Sequence, residues 1–128
     1  MIEKDNRPVN LNLLTISLPV IGLASILHRI SGFALFVCFP LVVWLLHLSL
    51  QSTESFSLLK GYMENNVLLK LMAVFIAIGF IYHILAGLKK ILGEIFGFGE
   101  TLKSGQALSW IVFALSFIFS LWFLIYIW

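Results

Sequence analysis

The chain has 128 residues, of which 61% are hydrophobic and 14 are charged, with a formal net charge of +2 and a mean hydropathy of +1.06. A soluble domain of this size has too much surface for its volume to hide that much apolar material, so the composition points to an integral membrane protein. A single cysteine excludes an intrachain disulfide and a cysteine-based metal cluster, and the small, scattered positive charge is no footprint for nucleic acid.

The segment "MIEKDNRPVN" mixes acids with bases, and no small-residue cleavage site follows the first apolar run. It reads as a retained cytoplasmic N-terminus rather than a signal peptide. A bilayer core of about 30 Å takes about 20 mostly apolar helical residues. Three stretches qualify, from about Gly22 to Leu50, Val67 to Leu88 and Ala107 to Trp128. The expectation is an all-α integral membrane protein, one domain over residues 1–128 with three transmembrane helices.

The first span opens on "SILHRISG", residues 25 to 32, and continues through Cys38, read as a small packing residue. His47, one turn from its far end, reads as interfacial. The connection "QSTESFSLLKGYMENN" is polar. Lys70 then begins the second span, close enough to its outer end to snorkel. That span holds "IGFIYHILAGLKK", and the connection "GEIFGFGETLKSGQ" after it carries four glycines. In the third span Ser109, Ser116 and Ser120 recur at helical spacing, which marks a helix-packing seam. Trp110, Tyr126 and Trp128 near its ends suit the membrane interface.

Cations choose the orientation. Lys4, Arg7, Arg29, Lys89, Lys90 and Lys103 fall on one side and only Lys60 and Lys70 on the other. Six against two puts the N-terminus in the cytoplasm and the C-terminus in the periplasm.

Ionisable groups inside a span are costly and mark candidate sites. Counting about 1.5 Å per residue from Lys89, taken as the boundary, puts His83 roughly 9 Å deep. Gly79 and Gly87 flank it one turn either way, which would clear room for a flat macrocycle ligated by the imidazole. The alternative is a histidine bonded to a neighbouring helix, with the glycines serving close packing. His28, beside Arg29, counts as lying at the surface, about two turns shallower than His83. It is therefore not expected to share one iron with it. Ser25, His28, Arg29 and Gly32 follow i, i+3, i+4 and i+7 and so share a helix face. A hydroxyl, a titratable ring and a fixed cation there could hold a cofactor carboxylate or polarise a carbonyl under reduction. Positive-inside anchoring alone would account for Arg29 but not for its two neighbours.

These residues resemble the cytochrome b556 membrane-anchor subunit family of succinate dehydrogenase. The family's Arg-Pro followed by Ser-x-x-His-Arg-x-Ser is matched by Arg7-Pro8 and by Ser25, His28, Arg29 and Ser31. Its His-x-x-x-Gly with a following basic pair is matched by His83, Gly87, Lys89 and Lys90, and the resemblance covers essentially the whole chain. Lys89 and Lys90 stand where the family commonly has Arg and His, and Glu94 is the acid nearest to the family's aspartate.

The resemblance implies a four-subunit complex of the bacterial inner membrane. A flavoprotein subunit carries FAD, an iron–sulfur subunit carries the clusters, and two small anchors form a helical bundle that binds ubiquinone and one haem b. His83 would be an axial ligand to the haem iron, with the other axial histidine coming from the sister anchor. Ser25 and Arg29 would hold the quinone, and His28, Arg29 and Gly87 would border the haem. Succinate chemistry itself would reside on a partner subunit. The rival readings are the anchor of a fumarate reductase, and a haem-free membrane scaffold or transport subunit in which His83 only packs.

Overall fold

A computed structural model describes residues 18–128. Lys4, Arg7 and Pro8, with the reading of the N-terminal segment, lie outside the described residues. Four helices follow in order: α1 Val20–Gln51, α2 Thr53–Asn65, α3 Val67–Phe96 and α4 Leu102–Ile127. Three of them, α1, α3 and α4, are long and apolar enough to cross a membrane.

The ends of these helices follow from local chemistry. Pro19 precedes α1 in extended backbone, where a missing N–H costs nothing. Within the polar connection Ser52 accepts a hydrogen bond from the Ser55 N–H at 3.0 Å, and Glu54 lies in the first turn. A side-chain cap and an acid at a helix start are both stabilising, so this connection forms the helix α2. Asn66 caps α3 by accepting from the Leu68 and Leu69 N–H groups. At the far end α3 runs through Lys89 and Lys90 to Phe96, then stops at Gly97 with φ 71°. That left-handed conformation suits glycine, and the Gly97 N–H bonds the Gly93 carbonyl at 2.9 Å. Helix α3 thus extends past the expected end at Leu88, by about 12 Å at 1.5 Å per residue. Helix α4 likewise starts at Leu102 rather than near Ala107.

Lipid supplies no hydrophobic drive for helices to associate, so close approach depends on small residues and interhelical hydrogen bonds. The buried residues fit that rule: Ala24, Ser31, Ala86, Gly105, Ser109 and Ser116 stand beside Val74, Tyr82 and Val112. Lys89 reaches Ser109 and Lys70 lies over the Trp128 ring at 5.4 Å. Equal steps along both helices separate these pairs, so α3 and α4 run antiparallel. Tyr82 stacks on Phe113 with ring centroids 5.8 Å apart and donates its hydroxyl to the Ala24 carbonyl at 2.7 Å, joining α3 to both neighbours. Tyr82→Phe is expected to lower the stability of the assembled bundle by about 1 kcal/mol. Thermal unfolding in detergent, followed by circular dichroism, checks this; an unchanged midpoint contradicts it.

Large side chains such as Phe33, Phe36 and Phe75 remain exposed on the outside. In a membrane protein such faces meet lipid or partner helices.

Candidate functional site

The two signatures meet where α1 crosses α3. His28 and His83 stack face to face, with ring centroids 4.2 Å apart and planes inclined by 15°. They stand at the same level of the bundle, not two turns apart as the sequence count has it. The count took Lys89 for the boundary, whereas α3 continues past it and the lysine side chain turns inward to α4. A long flexible stem lets the ammonium sit well away from the depth of its own Cα.

Glycines permit this contact. A Cβ at Gly32 would lie 2.8 Å from His83 Cε1, and one at Gly87 would lie 3.4 Å from His28 Nε2. Clearance around His83 therefore comes from Gly32 on the opposite helix. Gly87 makes room for His28, and Gly79 has nothing within 4 Å of a built Cβ. The expectation that Gly79 and Gly87 jointly clear both sides of His83 is corrected on this point. Gly79 opens instead on a mostly apolar cavity of about 520 Å³ between α1, α3 and α4, lined also by Cys38, Tyr82 and Ser116.

The hydrogen bonds around His83 choose its tautomer. Its Nδ1 lies 3.2 Å from the His28 carbonyl oxygen and 3.1 Å from Ser31 Oγ. Ser31 in turn donates to that same carbonyl at 2.9 Å. A carbonyl can only accept, so Nδ1 carries the proton and Nε2 keeps its lone pair. This arrangement orients metal-binding histidines, the outer N–H being tied to a backbone carbonyl. Among the described residues no three His, Cys, Asp or Glu side chains converge on one point. A lone imidazole holds a metal when the other ligands arrive with the metal, as in a macrocycle, or from another chain. The donor chemistry at His83 fits such a group. His28 stacks beside His83 and cannot be the ligand on the opposite side of the same metal.

The face Ser25, His28, Arg29 and Gly32 divides in the structure. His28 and Gly32 turn towards α3, Arg29 is exposed, and Ser25, also exposed, borders the space between α1 and α3. His28 Nε2 is buried without a hydrogen-bond partner. Ser25 and His28 line a second cavity of about 210 Å³ together with Lys89 and Lys90, and Arg29 is not part of its wall. Lys89 donates to Ser109 Oγ at 2.6 Å, and Ser109, completely buried, donates to the Gly105 carbonyl at 2.7 Å. Sequence spacing had made Ser109 a packing position; only the fold brings it to a cation.

His47 and Lys70 stand apart from this site. His47 bonds the Gln51 side chain near the end of α1, and Lys70 lies against Trp128.

Comparison with known proteins places these residues in a wider setting. Residues 3–123 match the profile of a family described as succinate dehydrogenase/fumarate reductase transmembrane subunit. The chain is 38% identical over 112 residues to the succinate dehydrogenase cytochrome b556 subunit of Coxiella burnetii, covering 88% of this chain and 89% of that one. It is 26% identical over 119 residues to the cytochrome b556 subunit of Rickettsia felis, at 91% and 90% coverage. With the cytochrome b560 subunit of the succinate dehydrogenase of Porphyra purpurea it shares 34% identity over 90 residues, covering 70% and 72%.

Proposed function

The chain belongs to the succinate dehydrogenase/fumarate reductase transmembrane-subunit family, and from that premise we propose that it is a cytochrome b anchor that helps bind haem b and ubiquinone. It is a multi-pass membrane protein and a subunit of a larger enzyme complex. The partners in this reading are a flavoprotein, an iron–sulfur protein and a second anchor, assembled at a bacterial inner membrane. FAD and the iron–sulfur clusters belong to those partners, as does the chemistry on succinate.

The observation that carries the haem reading is the position of His83 Nδ1, between the His28 carbonyl oxygen and Ser31 Oγ. The Nδ1 proton is committed to the His28 carbonyl and Ser31, which leaves Nε2 available to iron. Haem held there supplies one-electron redox chemistry, and its axial ligand, hydrogen bonds and burial set its potential. His83 would be the axial ligand from this chain, and the other would come from the second anchor. His28, Arg29 and Gly87 would border the group: His28 by packing, Arg29 as a cation for its carboxylates, and Gly87 by leaving the space that His28 occupies.

The quinone reading places Ser25 and Arg29 at the head group. Both are exposed, Ser25 at the cavity it shares with His28 and Arg29 outside that wall, and both are open to a substrate or a neighbouring subunit. A hydroxyl donates a hydrogen bond to a carbonyl oxygen, and a fixed guanidinium stabilises negative charge as that oxygen is reduced. Protons would enter from the cytoplasmic side through a donor on this or a partner chain.

Purification of the intact complex from its membrane tests the reading. A flavoprotein, an iron–sulfur protein and a second small anchor should copurify, with a reduced-minus-oxidised spectrum typical of b-type haem. Succinate should reduce added ubiquinone. An assembly with those subunits but no haem spectrum and no quinone reduction would favour the scaffold reading.

A further inference from the structure

Resting on the quinone reading above, we propose that Lys89, positioned by Ser109, is a second hydrogen-bond donor to the quinone head group in the cavity it shares with Ser25. The side chain of Lys89 leaves α3 and crosses to α4, where its ammonium donates to Ser109 Oγ at 2.6 Å. The Ser109 hydroxyl has already given its proton to the Gly105 carbonyl at 2.7 Å, so towards the lysine it is an acceptor. One of three ammonium N–H donors is thereby used. Among the described residues no carboxylate forms an ion pair with Lys89. Its two other N–H donors are not committed to α4, and half-burial at the cavity wall leaves them free to meet an acceptor there.

The cavity beside it supplies the place for such an acceptor. Its volume is about 210 Å³, and its wall combines Ser25, His28, Lys89 and Lys90 with apolar side chains such as Ile21 and Phe98. Among the described residues no acidic side chain lines it. An apolar enclosure with a few converging donors selects a small ring that carries acceptor oxygens. A bare inorganic anion would satisfy the cations but not the apolar wall, whereas a quinone head group satisfies both. Arg29 acts from outside this wall and Lys89 from within it, so the two cations approach the ring from different sides. The lysine stem is flexible, and the Ser109 hydroxyl holds its ammonium at one place. Ser109 touches the lysine rather than the substrate and is a positioning residue.

The test is steady-state kinetics of the intact complex with a short-chain ubiquinone. Lys89→Met removes a charge-assisted hydrogen bond and should raise KM about tenfold. Ser109→Ala leaves the cation but frees it, and should raise KM about threefold with a smaller change in kcat; Ser109→Thr should restore it. Lys89→Met leaves the Ser109–Gly105 hydrogen bond in place, so α4 keeps its own geometry. If Ser109→Ala does not assemble, Lys89→Arg decides, with a KM within about threefold of the parent expected and a loss equal to that of Lys89→Met overturning the proposal. A normal KM in Lys89→Met together with a raised KM in Ser25→Ala overturns the role of Lys89 and leaves the quinone reading standing. Normal KM values in Ser25→Ala, Arg29→Ala and Lys89→Met together overturn the quinone reading itself.

Discussion

Replacing His83 by alanine is expected to abolish the low-spin b-type spectrum of the complex. The geometry of this imidazole suits ligation to haem iron: its Nδ1 is held by the His28 carbonyl and Ser31, and Gly32 leaves the space the ring occupies. Alanine removes the ligand and the stacking partner of His28 together. Ser31→Ala keeps the ligand but loses one of its orienting contacts, and should weaken haem retention about tenfold to a hundredfold, as loss of such outer contacts does at metal sites. Reduced-minus-oxidised spectra of the purified complex, normalised to the flavin content, read both variants. An unaltered bis-histidine spectrum in His83→Ala would show that the ligand is elsewhere than His83.

Arg29→Ala is expected to lower succinate–quinone reductase activity by about a hundredfold or more, the range for removing one preorganised group that stabilises developing negative charge. Activity is normalised to reduction of a soluble dye by the flavoprotein, which measures succinate oxidation upstream of the anchor. Arg29 is exposed on the outside of α1, away from the bundle interior, so its removal leaves the packing of α1 on α3 intact. Lysine at this position restores the charge but not the planar fork, and should recover only part of the rate. An Arg29→Ala complex with the same ratio of quinone to dye activity as its parent would reduce Arg29 to a topological anchor. The two substitutions separate the two functions, since the first reads the spectrum and the second reads turnover with quinone.

Much of the architecture is legible in the sequence because hydropathy and helix length are local properties. Three apolar stretches of adequate length became α1, α3 and α4; of the expected serine seam Ser109 and Ser116 are buried, whereas Ser120 is only half-buried at the wall of the larger cavity. The helix α2 was less legible, since its sequence reads as a polar connection and the Ser52 cap that opens it shows only in the structure. The pairing of His28 with His83 was read wrongly. Depth was counted from Lys89 as though a lysine marked the end of its helix, whereas its side chain reaches sideways to Ser109.

From its residues alone, then, this chain determines a membrane class, three spans and two signatures that place a serine, two histidines and an arginine among the candidates. Hydropathy does not encode how far one helix is shifted or turned against the next. That register follows from where small residues let a neighbouring helix close in, at buried Ala24 and Ala86, at Gly32 against the His83 ring and at Gly105 against Ile21, and from the hydrogen bonds that cross between helices. Tertiary structure alone therefore brought the two imidazoles to 4.2 Å, assigned the clearance around His83 to a glycine on another helix, and turned Lys89 inward to a buried serine on α4.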